Sequence, residues 1–224
     1  MLDAQLAAAP ELAPRLQELR TWQAARLAHT YADLRQDPQL SRGLEFFLTD
    51  LYGPHDFTHR NRQLARAWRY FKRALPSSAI EVLAKAIELE VLTAELDQAM
   101  VSQLTSEPLI GASYAAAYRA VGRPEQRRRQ IDLIISLGEQ LERIVRHPGI
   151  GLALRAARAP AHAAGLGMLQ DFLERGFSGF RHMQDAQRLL GAIRERELQL
   201  MQALFNGSHD PFDTLAANVH SAHG

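Results

Sequence analysis

Apolar side chains recur along this chain at helical spacing, and the gaps between runs fall at prolines, glycines and short polar residues, so the pattern predicts helices throughout. The first runs from Pro14, a favoured first helical residue, to about Gln36, with Leu16, Leu19, Trp22/Gln23, Arg26/Leu27 and Tyr31/Leu34 in series and Asp37-Pro38 as its stop. The second covers roughly 39–52 and sets Leu40, Leu44, Phe47 and Leu51 on one face. Phe46 falls off that face, so this helix either packs on two sides or shows a ring to a partner. Gly53 and Pro54 close it, and Asp56 offers a cap to the next. The third helix, 57–75, sets Phe57, Leu64, Trp68, Phe71 and Leu75 against an opposite stripe of Arg62, Arg66, Arg69 and Arg73. Because Phe46, Phe47, Tyr52, Phe57, Trp68, Tyr70 and Phe71 crowd this one stretch, the core is expected to be densest there.

Beyond Pro76 a fourth helix, about 78–105, carries one apolar stripe of Ile80, Leu83, Ile87 and Val91 and another of Val82, Leu89, Leu96 and Met100. A helix apolar on two flanks is expected between neighbours, near the centre of the fold. Its Glu81, Glu88 and Glu95 are expected to face the arginine stripe of the preceding helix, since short connections make sequential helices antiparallel neighbours. A fifth helix over 107–121 contains Tyr114 and Tyr118 one turn apart, and a sixth runs from Pro124 to about Arg146 with Ile131, Ile134, Leu141 and Val145 on its core face. Arg127, Arg128 and Arg129 crowd the first turns of that sixth helix, where the helix dipole disfavours positive charge, which points to a carboxylate or phosphate beside them. After His147-Pro148-Gly149 come a short helix to about Ala157, another from Pro160 to Gly176, and a last one from Ser178 or Gly179 to Phe205. No strand pattern and no fixed-period repeat is legible. The prediction is an all-α protein, a single bundle of about eight or nine helices over 14–205, with a loose lead-in at 1–13 and a polar tail or flap at 206–224.

The stretch FFLTDLY, with Phe46, Phe47, Leu48, Leu51 and Tyr52, resembles the motif of the bacterial FFLEELY family, Thr49 and Asp50 replacing its two glutamates. The GPHDF, ASYAAAYRAVGR and AGLGMLQDFLERGF stretches are similar to that family as well. The resemblance implies no activity, substrate or catalytic residue. Composition narrows the chemistry further. The 224 residues hold 26 Lys and Arg against 25 acids, a net charge of +1, so charge must be read locally. No cysteine is present, which removes disulfides and thiolate chemistry. No apolar run approaches the roughly 18 residues of a membrane span, and the N-terminal stretch lacks a basic segment followed by an apolar one, so a soluble cytoplasmic protein is expected.

Carboxylate-bridged metal sites in bundles require Glu-x-x-His pairs, and none occurs. Asp56 and His59, with His55, come nearest, but capping accounts for Asp56 better than metal ligation, so neither a metal nor a cofactor is assigned. His162 lies in phase with Leu166, Leu169 and Leu173, and His182 with Ala186, Leu189 and Ile193, so both imidazoles are expected to point inward. The near-neutral total charge, and the lack of a helix-turn-helix, zinc-finger or sheet-based RNA-binding pattern, argue against nucleic acid. Two functions are consistent with these patterns. The first is a non-catalytic protein that binds a protein partner or itself through Phe46, Asp56, His59, Arg62, Arg66, Arg69 and Arg73. The other is a small-molecule, haem or metal pocket formed with His162, His182, Tyr114 and Tyr118.

Overall fold

The computed structural model describes residues 12–51, 77–104, 109–208 and 211–212. Among them the chain forms nine α-helices and no strand: α1 Leu12–Thr30, α2 Ala32–Arg35, α3 Ser41–Phe46, α4 Ser77–Val101, α5 Gly111–Val121, α6 Pro124–Arg146, α7 Ile150–Ala163, α8 Gly167–Arg181 and α9 Ala186–Phe205. A π-helical turn, Phe47–Leu51, continues α3. The predicted all-helical architecture is what forms. No helix among the described residues is long and apolar enough to cross a membrane.

Two apolar clusters make the core. One gathers Leu27, Tyr31 and Leu34 with Phe46, Phe47, Ile131, Ile135, Leu189 and Ile193, among others. The second gathers Leu16 and Leu19 with Met100, Tyr114, Tyr118, Leu200 and Leu204. Along α1 the second cluster comes first, and along α9 it comes last, so these two helices pass antiparallel through both. Met201 touches both clusters.

The π turn explains how three consecutive residues, Phe46, Phe47 and Leu48, can all be buried. Phe47 meets the Tyr31 ring edge-on at 6.3 Å, while Phe46 turns the other way onto Phe172 and Phe180 of α8. Phe46 is therefore a core residue of a helix packed on two sides, and its ring is not a surface shown to a partner. Glycines make the approach possible: a Cβ on Gly179 would stand 3.2 Å from the Arg42 carbonyl oxygen, and one on Gly176 would stand 2.8 Å from the Phe46 ring.

Other boundaries differ from the sequence pattern. Pro160 lies inside the last turn of α7 instead of opening a helix, and the break comes at Gly165, whose φ of 72° reverses the chain into α8. Helix α8 then runs on to Arg181, and α9 starts only after Asp185, whose carboxylate accepts a hydrogen bond from the Arg188 amide. In α4, Leu96 and Met100 are buried as expected, but Ile87 and Val91, on the other apolar flank, are half exposed. Glu88 is bonded by Arg129 of α6 at 2.7 and 2.9 Å.

Replacing Phe46 with Ala empties a tightly lined site, and the expected cost is about 3–5 kcal/mol by urea denaturation. A ring displayed for a partner would give a near-neutral result instead.

Candidate functional site

The order of residues along α1 shows where charge enters the interior. Leu16 and Leu19 belong to one cluster, Leu27 and Tyr31 to the other, and Arg20, Gln23 and Arg26 lie between them. On α9, Glu197 sits between Ile193 and Leu200 in the same way. Asp97 of α4 and Arg127 of α6 complete a polar layer at the junction of the two clusters, and they are only 2% and 4% exposed.

Most of this layer is matched charge for charge. Arg26 donates to Glu197 Oε1 at 2.5 Å, and the Tyr31 hydroxyl donates to the same oxygen at 2.9 Å. Burial works against the Arg26 charge, yet Glu197 holds its pKa above the ordinary arginine value. Burial, and then Glu197, push the Tyr31 hydroxyl well above the usual phenol range. Asp97 accepts from Gln23 at 3.2 Å and from Arg20 at 3.4 Å. Burial still raises the Asp97 pKa, although Arg20, Gln23 and Arg127 oppose it. At the edge of the layer Arg196 grips both oxygens of Asp33 at 2.7 Å and donates to the Thr30 carbonyl at 2.6 Å.

Arg127 is the exception. Its guanidinium lies over the Tyr118 ring at 4.4 Å, but Nε and Nη2 have no hydrogen-bond partner among the described residues. Of the three arginines that open α6, Arg128 meets Asp132 and Arg129 meets Glu88, while Arg127, the buried one, makes no ion pair among the described residues, although Asp97 lies near enough to feel its charge. The two-residue connection puts it there: Gly122 and Arg123 both take positive φ, 65° and 60°, so the chain changes direction between α5 and α6 and brings Arg127, in the first turn of α6, over the ring of Tyr118, in the last turn of α5. Tyr118 in turn belongs to an aromatic series with Phe205, Tyr114 and Trp22, the last two stacked at 4.2 Å. Burial raises the Tyr118 pKa, and Arg127 and Arg26 both act against that rise. Arg26 Nε is a further donor without a partner among the described residues.

The structure does not bring His162 and His182 to Tyr114 and Tyr118. Both tyrosines are buried on α5, whereas both histidines are exposed. His162 lies in the last turn of α7, 3.2 Å from Asp171, and His182 caps α8 with Nδ1 2.7 Å from the Ser178 carbonyl oxygen. Each was placed in phase with a helix that begins only after the break that follows it, so the phase did not carry over. Asp56, His59, Arg62, Arg66, Arg69 and Arg73 lie outside the described residues. No group of three histidines or carboxylates that could hold a metal occurs among the described residues.

A family model described as a domain of unknown function, DUF8198, matches residues 3–211. The chain belongs to that family. No curated protein and no solved structure matches it. The DUF8198 match takes in every residue of the polar layer, so the layer lies inside the family's domain.

Sequence reasoning singled out Arg127, with Arg128 and Arg129, as calling for a carboxylate or phosphate, but it did not join Arg127 to Asp97, Arg26 and Glu197, because spacing along one helix does not show which residues of separate helices meet. The signal was present: Arg127 falls one turn before Ile131 and two before Ile134, and Asp97 sits between Leu96 and Met100. Two outcomes follow. Glu197→Leu strands Arg26 and Tyr31 and is expected to cost about 3–5 kcal/mol, while adding Arg26→Leu restores part of the loss in a chemical-denaturation cycle. On the surface, hydrogen bonds from Arg158 and then Gln170 hold Glu174 down from 4.5 to about 2. A depressed carboxylate stabilises the fold above its unfolded pKa and loses that contribution as pH falls through the folded one. The melting difference between the wild type and Glu174→Gln should therefore be present at neutral pH and vanish between pH 4.5 and about 2.

Proposed function

We propose that this protein is a non-catalytic helical receptor for a small organic anion, with Arg127 taking the ligand's carboxylate or phosphate. The observation that carries the reading is the buried guanidinium with unpaired donors in a layer where the neighbouring arginines have acids. Leaving such a group without an acceptor costs about 1–3 kcal/mol, a cost that an entering anion would remove. Three of the five orphan atoms, Arg127 Nε, Arg127 Nη2 and Arg26 Nε, are donors on arginines of the layer, the other two being the Gln126 and Gln140 amide oxygens, and a carboxylate or phosphate accepts from such donors. Tyr118 supports the charge from below through its ring face.

Binding is favoured over catalysis by the nature of the group. Arginine stays protonated throughout the physiological range, so it fixes an anion without taking or giving a proton. The carboxylates nearby, Asp97 and Glu197, are already engaged by Arg20, Gln23, Arg26 and Tyr31.

Arg127→Met tests this with two readouts. The variant, free of ligand, is expected to be about 1–3 kcal/mol more stable than the wild type, since an unsatisfied charge has been replaced by an apolar chain of similar length. Inorganic phosphate, acetate, benzoate and citrate are the probes for differential scanning fluorimetry. At a hundred times its dissociation constant, a bound probe stabilises by about 2.7 kcal/mol. At least one should raise the wild-type melting temperature and leave Arg127→Met unmoved. If none moves the wild type, or if both proteins respond alike, the reading is wrong.

A further inference from the structure

The two Arg127 donors without a partner among the described residues, Nε and Nη2, lie on one edge of the guanidinium. Their N–H bonds run parallel there, at the spacing of the two oxygens of a carboxylate. Arginines of this chain use that edge twice at the surface. Arg129 donates from Nε and Nη2 to the two oxygens of Glu88 at 2.7 and 2.9 Å, and Arg158 donates from the same two atoms to Glu174. Arg127 presents the same edge inside the protein, where the residue is only 4% exposed. The Tyr118 ring, 4.4 Å away, takes one face of the guanidinium, and the edge is what remains for a ligand.

Asp97 does not supply the missing acceptor. It feels the Arg127 charge, but one of its oxygens accepts from Gln23 and the other from Arg20. Across the layer the guanidiniums of Arg20, Arg26 and Arg127 stand against the carboxylates of Asp97 and Glu197, so one positive charge is in excess. The pair of Arg196 and Asp33 at the edge is balanced in itself. A singly charged anion neutralises the excess. A dianion would carry a second charge out of water with no cation left to match it, and burial penalises such a charge heavily.

We infer that the ligand is a monocarboxylate, gripped side-on through both of its oxygens by Nε and Nη2 of Arg127, and that dianions such as phosphate monoesters are discriminated against. This rests on the reading of Arg127 as the receptor of an anion, and it narrows that reading to one chemical class. Two features of the anion are selected by two features of the layer. The planar pair of oxygens fits the guanidinium edge, and the single charge fits the imbalance. Lysine in place of Arg127 would keep the charge and lose the edge, because an ammonium is a point charge without a fixed pair of parallel donors.

Nuclear magnetic resonance titration of the nitrogen-15-labelled full chain at neutral pH and constant ionic strength tests this, with acetate, benzoate, methanesulfonate and sulfate as probes. The Arg127 Nε–H resonance is assigned by its loss in Arg127→Met. Acetate or benzoate is expected to shift that resonance in the wild type. Methanesulfonate and sulfate share a tetrahedral head but differ in charge, and sulfate is expected to bind about ten-fold more weakly than methanesulfonate, or less. Backbone amides around position 127 report on Arg127→Lys, which is expected to lose about ten-fold or more in carboxylate affinity although its charge is kept. Should that variant not fold, as judged by circular dichroism, the wild-type probe series still decides. Sulfate bound as tightly as the singly charged probes overturns the inference and leaves the anion-receptor reading standing, as does carboxylate affinity unchanged in Arg127→Lys. Carboxylates that shift other resonances but leave Arg127 Nε–H unmoved overturn it as well. If no probe binds the wild type at all, the receptor reading falls and this inference falls with it.

Discussion

One oxygen of Glu197 accepts from both Arg26 and Tyr31, and the bundle is arranged around that contact. A carboxylate in this setting is tolerable only when its partners are fixed, because the desolvation of each charge is repaid only by close and well-aligned donors. Arg26 is held on α1, Tyr31 immediately after it and Glu197 on α9, so the register of the two helices that cross both apolar clusters is tied to it. Arg196, the residue just before it, secures the same register from the outside by gripping Asp33 and the Thr30 carbonyl at the end of α1. The Coulombic demands of a few groups thus set how the apolar surfaces of α1 and α9 meet.

Within that frame the layer is uneven. Arg20 pairs with Asp97 and Arg26 with Glu197, while Arg127 has an aromatic ring and, among the described residues, no ion pair of its own. Natural proteins retain few buried donors in that condition, and those they keep call for a reason. The chain spends a left-handed, non-glycine residue, Arg123, on the short turn that delivers Arg127 to its place.

The helical nature of the chain was legible from spacing alone, and α6, bounded by Pro124 and Arg146, matches its sequence outline. Failures gathered at breaks. Pro160 reads as a start, but a proline in the final turn gives up only one backbone bond, and the true reversal needs the positive φ of Gly165. The reversal at Gly165 separates His162 from the phase of α8, and the end of α8 at Arg181 separates His182 from the phase of α9. Phe46 shows the opposite problem: its position off the main face was seen correctly, but periodicity cannot distinguish a second buried side from an exposed one. Arg127 was marked by its place at a helix start, but the polar layer as a whole was hidden because its members come from four helices and meet only in three dimensions. Ile87 and Val91, expected inside, lie outside for a related reason, since apolarity predicts burial only where a neighbour exists.

The π-helical turn at Phe47–Leu51 has a consequence for phase. An i to i+5 ladder is looser than an α-helical one, and it sits where α3 divides its grip between Tyr31 on one side and the α8 rings on the other. The wider turn shifts the phase of the residues that follow it, so its cost is tied to the two separate ring contacts that flank it.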